Sequence, residues 1–483
     1  MNVKKVLLYN SINKPFMEVA SDPMNLGLMA ISAVLKEKGY KVVLIPNIDF
    51  KGAEKRLRKE IKNAFFVGVS CMTGDPILNG LKFTEKVKSL NPKIPVCLGG
   101  YHATIDYKNT IKNKNIDFVI RGQGERTIVE LIEALKTKKF NNIKGLVYKN
   151  KDQMVVNLPR EIEALDNFPS FDYELFIKCY KIKNNSSFIY CSSRGCPFEC
   201  TFCSVSNFYK KKYFTYSSER FLKDIALIVE KYNPKMISFW DDNFFVDMQR
   251  VDTFLKDYVE KGYTFDWWAF SRCGTFVKED KILLEKLVKC NCKRLLFGAE
   301  SGSEKILKYI KKHIVVDDIL NSCRVVSKYG IDPDYTFMSG FPTEKVKDLN
   351  KTIDVIDKLS RINKRSGVRM FSFCPTPGIP ILEDCRKVGF KDPQSMEEWS
   401  KYEYHSFVAP WISKEHQKLV KRLVWITTFL SPQSMPGSSK WWLNSIFRLL
   451  HYDAVFRIRT RFFRAGWEWD ILYLVYKRHY TAL

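Results

Sequence analysis

Apolar runs of strand length take turns with apolar positions at helical spacing along most of this 483-residue chain. Val3 to Tyr9, apolar from Val6 onward, reads as a buried strand. Leu26, Met29, Ala30, Ala33, Val34 and Leu35 then recur at helical intervals up to Lys38, and Tyr40 to Ile45 returns to strand character. Phe65 to Ser70, Pro95 to Leu98 and Ile116 to Ile120 continue the strands, with Thr84 to Leu90 helical between two of them. This alternation predicts a doubly wound, Rossmann-like parallel sheet over residues 1–143. Loops at the carboxyl ends of such strands form a ligand crevice. Here they are small and polar: Ser70 to Gly74, Gly99 to Thr104, and Gly122 to Glu125. Their glycines either admit a bulky ligand close to the backbone or only make tight turns, and the pattern leaves both readings open.

Residues 144–186 carry charge, a turn-rich Leu165–Tyr173 stretch and little periodicity, and read as a linker. Over 187–390 a strand-then-helix pattern repeats about six times, which predicts a partial (β/α)6 barrel with function at the carboxyl ends of its strands. Ser187–Cys191, Met236–Trp240, Arg294–Phe297, Tyr335–Met338 and Val368–Phe373 are the strands that stand out. From 391 to 483 the composition changes to helical, aromatic and basic. Seven of the ten tryptophans fall there, from Trp399 to Trp469, with Arg457, Arg459, Arg461 and Arg464 on one expected helix.

Composition adds bounds rather than an answer. The opening residues read as a first strand and not as a signal peptide, and 13 cysteines is an odd number, so reduced thiols in a cytoplasmic protein are expected. No stretch of about 18 uncharged apolar residues predicts a spanning helix. A net charge of +26 suits nucleic acid, anionic lipid or an acidic small molecule, yet the lysines are spread along the whole chain and decide nothing alone.

Chemistry enters with Ser-Arg-Gly-Cys-Pro-Phe-Glu-Cys-Thr-Phe-Cys-Ser, which places Cys196, Cys200 and Cys203 in a Cys-x-x-x-Cys-x-x-Cys spacing. An electron carrier needs four thiolates per four-iron cluster; three leave one iron free to bind a substrate or cofactor. A zinc finger would place a second Cys or His pair about 12 to 20 residues on. After Cys203, none appears until Cys273. Cys191, just upstream, and Cys374, near a later strand end, read as packed thiols.

The loop resembles the cluster loop of radical S-adenosylmethionine (SAM) enzymes. That resemblance implies a four-iron, four-sulfur (4Fe-4S) cluster on Cys196, Cys200 and Cys203, whose open iron chelates SAM and whose electron splits it to a 5′-deoxyadenosyl radical, with Phe202 packing near the adenine. It also implies SAM contacts at Asp241, Asp242 and Asn243, at Glu300 and Ser301, and at Gly340 and Phe341. An Asp or Asn cap is the plain alternative for the first three. Val-Gly-Val-Ser-Cys-Met-Thr-Gly, Leu-Gly-Gly-Tyr-His-Ala-Thr and Asp-Phe-Val-Ile-Arg-Gly-Gln-Gly-Glu look like the cobalamin-binding domain that precedes many such barrels. This implies corrin contacts at Ser70, Met72, Thr73, Gly99, Gly100, His102, Gly122, Gly124 and Glu125. The Asp-x-His-x-x-Gly signature of cobalt ligation through histidine is absent, so His102 is assigned beside the corrin and not to the metal.

Cobalamin-dependent radical SAM enzymes mostly methylate unactivated carbon, so the resemblance implies a methyltransferase. A hydrophobic metabolite such as a lipid, isoprenoid or tetrapyrrole is the expected substrate, with flavodoxin or ferredoxin as electron donor. A cyclase of the anaerobic magnesium-protoporphyrin ester type, or a non-catalytic iron-sulfur or corrinoid carrier, are the alternatives. For the tail three readings stand: a lid over the barrel mouth, an amphipathic contact with the inner face of a membrane, or a nucleic-acid patch, the last disfavoured because no RNA-binding module is visible.

Overall fold

The computed structural model describes residues 4–12, 24–151, 153–403, 407–431, 441–463, 466 and 468–471, without the side chains of 441–443. Arg464, and of the seven tryptophans of the tail Trp467 and the side chains of Trp441 and Trp442, lie outside these.

Seven strands form the first sheet: β1 (Lys5–Asn10), β2 (Lys41–Ile45), β3 (Ala64–Ser70), β4 (Val96–Gly99), β5 (Phe118–Ile120), β6 (Leu146–Asn150) and β7 (Gln153–Val156). Their spatial order is β2-β1-β3-β4-β5-β6-β7. The first five are parallel and buried on both faces, which is why Val6 to Tyr9 can be apolar without alternation. β6 and β7 run antiparallel to β5 and to each other. The segment read as a linker therefore completes this sheet before the chain leaves it. Its strands are short, and the edge strand β7 turns Gln153, Met154 and Val156 to solvent, so neither shows an apolar period in sequence. Strand order reverses between β1 and β3, and a ligand crevice belongs at that switch point.

The second sheet holds β8 (Ser187–Tyr190), then, beyond a small hairpin of β9 (Ser193–Gly195) and β10 (Tyr213–Thr215), β11 (Met236–Phe239), β12 (Asp266–Ser271), β13 (Cys292–Glu300), β14 (Asp332–Ser339) and β15 (Gly367–Ser372). All six are parallel in chain order, and β8 and β15 do not pair, so the arc stays open. β12, unremarked in the sequence reading, supplies a site residue described below. Along β13 and β14 buried positions alternate with accessible ones. Leu295, Phe297, Tyr335 and Phe337 pack under the outer helices, and the intervening side chains face the lumen.

The tail does not act as a free lid. Helix Lys414–Thr428 lies along β15, the edge strand, where Thr427 Oγ1 accepts the Met370 N–H at 2.9 Å. Trp425 and Trp469 are buried within this packing. Helix Trp441–Thr460 packs outside it, and Arg457 and Arg461 of that helix region are held by Asp453, Glu468 and Asp354. Among the described residues no helix is long and apolar enough to cross a membrane.

Candidate active site

β8 delivers the chain to the β9–β10 hairpin, and that hairpin presents the cysteine loop at the mouth of the arc. Gly195 has φ +86°, and a Cβ there would strike the Lys212 carbonyl and lie 2.9 Å from the Tyr209 ring, so no other residue fits. Thr201 N donates to Ile310 O at 3.0 Å and Thr201 O accepts from Ile381 N at 3.0 Å, fastening the loop to the barrel from two sides. Cys200 is buried; Cys196 and Cys203 are half-buried. Burial pushes the Cys203 thiol up to about 11 and raises Cys196, and each feels the Cys200 sulfur. Among the described residues no three His, Cys, Asp or Glu side chains converge on one ion. A four-iron cluster takes one thiolate per iron, so its ligands stand apart by the size of the cluster. Three adjacent soft donors in a fastened loop fit such a group.

The Asp-Asn triplet after β11 divides its labour. Asp241 is fully buried, accepting from Ser192 N at 3.1 Å, Ser192 Oγ at 2.6 Å and Ser193 Oγ, with Arg250 at 3.5 Å. Both oxygens are thus spent on holding the start of the cysteine loop. Asp242 accepts from Gly195 N at 2.9 Å, and its site is deep enough to lift the carboxyl to about 6 although one edge reaches solvent. Asn243 is buried, and its Oδ1 has no hydrogen-bond partner among the described residues. That orphan acceptor fits the N–H groups of a bound ligand.

Two basic residues missed in the sequence complete this end. Arg272, just past β12, donates to Cys200 Sγ at 3.8 Å and to the Lys312 carbonyl, and its guanidinium lies 3.6 Å over the Phe198 ring. Lys312 is buried 2.8 Å from Glu300 Oε1. Burial alone would lower its pKa, but Glu300 and Cys200 hold it raised. Only the strand alternation of Asp-Trp-Trp-Ala-Phe-Ser pointed to Arg272, and nothing in sequence pointed to Lys312. Glu300 takes φ +64°, a strained conformation for a side chain other than glycine or asparagine. Ser301, by contrast, is fully buried: its hydroxyl accepts from Ser303 N at 3.1 Å and pairs with Thr352 Oγ1 at 3.3 Å. It holds the turn.

At the end of β14, Gly340 (φ +111°) and Phe341 donate their N–H groups to Glu344 Oε2, which Ser339 Oγ also reaches at 3.1 Å. The tail seals this turn: Trp411 Nε1 donates to Gly340 O at 2.9 Å and His416 Nε2 meets Ser339 Oγ at 2.9 Å. Phe341 is buried and meets Phe202 edge-on at 6.1 Å. Cys374 is buried too, as a packed thiol.

A second cavity lies at the switch point of the first sheet, with about 850 Å³ of space partly continuous with solvent. Ser70, Gly99, Gly100, Gly122, Gly124 and Glu125 line it, and across from them Arg194, Phe208 and Tyr209 of the cysteine-loop region close it. A Cβ at Gly99 or Gly122 would meet nothing within 4 Å, so both backbones face open space that side chains would otherwise fill. That cradle fits a flat, bulky macrocycle and its tail. Met72, Thr73 and His102 do not line it. Met72 is exposed, and the short helix Tyr101–Ile105 turns His102 inward to pair with Thr73 Oγ1 at 3.1 Å, where burial lowers it to about 4. Glu125 and Arg194, 2.7 Å apart and mostly buried, tie the two regions together across the cavity.

Family models match in the same order: the B12 binding domain over residues 15–132 and the radical SAM superfamily over 190–356. A protein of Pyrococcus horikoshii named as an uncharacterized methyltransferase is 29% identical over 410 residues, covering 81% of this chain and 88% of its own. The anaerobic magnesium-protoporphyrin IX monomethyl ester cyclase of Rubrivivax gelatinosus is 24% identical over 335 residues, 67% of this chain and 60% of its own. Among solved structures, the radical SAM methyltransferase TsrM from Kitasatospora setae, with cobalamin and a 4Fe-4S cluster bound, superposes with a TM-score of 0.69 over 95% of this chain and 100% of its own, at 14% identity.

Proposed function

Since this chain belongs to the cobalamin-dependent radical SAM methyltransferase family, we propose that it methylates an unactivated carbon of a hydrophobic small molecule, with Cys196, Cys200 and Cys203 holding its cluster. The cofactors are a 4Fe-4S cluster, SAM and cobalamin. When bound, they supply a 5′-deoxyadenosyl radical to take a hydrogen atom from carbon and a methyl group to replace it. In this reading Phe202 and Phe341 wall the adenine, Asp242, Asn243 and Glu300 meet the polar parts of SAM, and Gly99, Gly100, Gly122 and Gly124 take the corrin and its tail. Lys312 holds the Glu300 carboxylate in place, and Arg272 holds the rim of the cysteine loop.

The observation that carries the reading is that one cavity is shared by the glycine loops of the first sheet and by Arg194, Phe208 and Tyr209 of the cysteine-loop region. Two cofactors held on either side of that seam can serve one substrate. Anaerobically reconstituted protein given reductant and methyl-labelled SAM should form 5′-deoxyadenosine and S-adenosylhomocysteine and pass label to product. Deoxyadenosine with no methyl consumption would instead support ring formation, as in the cyclase relative.

Flavodoxin or ferredoxin is the proposed electron donor. The tail supports a peripheral contact with the inner face of an anionic membrane. On helix Trp441–Thr460 the exposed Ile446, Leu449, Tyr452 and Phe456 fall on one face, bordered by Arg448 and Arg459, so the face pairs apolar burial with positive charge. Sedimentation with phosphatidylglycerol vesicles should carry the protein down at low salt and release it at high salt. Leu449→Ser with Phe456→Ser should abolish the binding, and a wild-type protein that stays in solution would end this reading of the tail.

A further inference from the structure

We propose that the barrel lumen is built for an acid with a flat, apolar body, bound between an aromatic wall on β11 and β12 and the guanidinium of Arg369 on β15. This inference rests on the methyltransferase reading and names the substrate class of that site.

The wall consists of Trp240, Trp268 and Phe270. Their rings meet at 6.0, 5.7 and 5.2 Å between centroids, mostly edge-on. All three stand on the accessible face of their strands, opposite Trp267 and Phe239, which are fully buried under the outer helices. Trp240 leaves 48% of its surface accessible. A tryptophan so placed inside an arc is a contact surface awaiting an apolar partner. Phe270 precedes Arg272 by two residues, and Arg272 touches Cys200, so the wall begins one pleat, roughly 7 Å, below the cysteine loop. A carbon chain lying on it comes within reach of the reactive end of the barrel.

The acid end follows from counting charges on the lumen face. Asp266 pairs with Lys293 at 3.5 Å, Asp332 with Arg365 at 2.8 Å and Asp334 with Arg294 at 3.0 Å. Arg369 is left over: no hydrogen bond or ion pair engages it among the described residues. It is nonetheless fixed in place, because Val368 and Met370 on either side are buried and Met370 N is held by Thr427 of the tail helix. Its side chain stands on the accessible face of β15, and Asp334, the acid nearest to it, is already paired with Arg294. Arginine meets carboxylate and phosphate in a fork geometry that a lone Asp334, already shared, cannot supply. β12 and β15 are three strands apart, about 14 Å around the arc and less across it, so the flat body and the acid are separated by on the order of 10 Å. At the foot of the arc a cleft of about 740 Å³, partly open to solvent and lined by Met236, Trp268 and Arg294 among others, leaves room for a longer chain.

The test uses cis-parinaric acid, a straight-chain acid with a conjugated tetraene set back from its carboxylate, and its methyl ester, which keeps the body and removes the charge. Binding of each to the reconstituted enzyme is followed by polyene fluorescence and by energy transfer from tryptophan. The acid should bind at least about tenfold more tightly than the ester. Arg369→Met should erase that preference while leaving ester affinity in place, Arg369→Lys should retain part of it, and Trp268→Ala should weaken both ligands. Equal affinity of acid and ester for the wild type, or a preference that survives Arg369→Met, overturns the inference. Methyl transfer from labelled SAM is measured separately, so either result leaves that activity to stand or fall on its own.

Discussion

Gly99 and Gly100 are adjacent and indistinguishable by pattern, yet the chain needs them for different reasons. Gly100 has φ +98°, and a Cβ there would sit 2.9 Å from the Cys71 carbonyl, so the backbone itself demands glycine. Gly99 has no positive φ, and a Cβ on it would meet nothing within 4 Å among the described residues, so only something in the cavity can demand it. Gly99→Val should therefore fold with an unchanged melting temperature and an intact cluster spectrum but lose corrin absorbance on desalting. Gly100→Val should cost about 1–3 kcal/mol of stability as well. Corrin retention by the Gly99 variant would show that the cavity holds something else. The residue scale is also where sequence is least specific. Asp241 and Ser301 carry the right chemistry at the right strand ends, but their partners, Ser192 and Thr352, lie 49 and 51 residues away and bury them. Which of two neighbouring polar residues faces in and which faces out is set by tertiary packing that no local motif encodes.

Elements were more legible than residues wherever both faces of a strand are buried, as in β1 and β3, because burial writes an apolar run. They were least legible at edges. β7 turns Gln153, Met154 and Val156 to solvent, and β12 hides its strand character in paired tryptophans that serve opposite faces. The tail helix Lys414–Thr428 was expected from its spacing, but not its seat on β15, since covering a sheet edge depends on a hydroxyl, Thr427, rather than on a pattern. His416 gives that seat a pH dependence. Burial holds its pKa at about 4, below the ordinary 6.5, so the fold favours the neutral ring. Its contribution is complete above pH 6.5 and is lost as pH falls from there toward 4. Glu344, which shares Ser339 and is lifted to about 7 chiefly by burial, has the opposite sense and loses stability as pH rises from 4.5 through 7. His416→Asn should cost about 1 kcal/mol near pH 8, where the Ser339 hydrogen bond is missed. The gap to wild type should close between pH 6.5 and 4 in melting experiments. A gap that stays constant over that range would show that the ring does not titrate in the fold.

On the scale of the whole molecule, the order of two domains and their cofactors was readable from motifs, but their relation to each other was not. The apolar core is continuous from the first sheet through helix Tyr173–Tyr180 into the barrel, and Glu125 meets Arg194 across the cavity between them. That ion pair joins the end of the corrin loop to the residue two before Cys196, so it sets the spacing of the two sites as well as their stability. Burial disfavours a charged Arg194, but Glu125, two tyrosines and Cys191 more than offset it and hold the guanidinium charged. Removing only the carboxylate strands that charge. Glu125→Ala should lower unfolding stability by about 3–5 kcal/mol, whereas Glu125→Leu combined with Arg194→Met, which removes both charges and restores apolar volume, should cost far less than the sum of the single changes. If the pair also registers the two sites, the double variant should stay folded, cleave SAM to deoxyadenosine at near the wild-type rate, and transfer methyl poorly. Additive single and double effects on unfolding would mean the two side chains are neighbours without being coupled, and the register of the domains would then rest on the shared core alone.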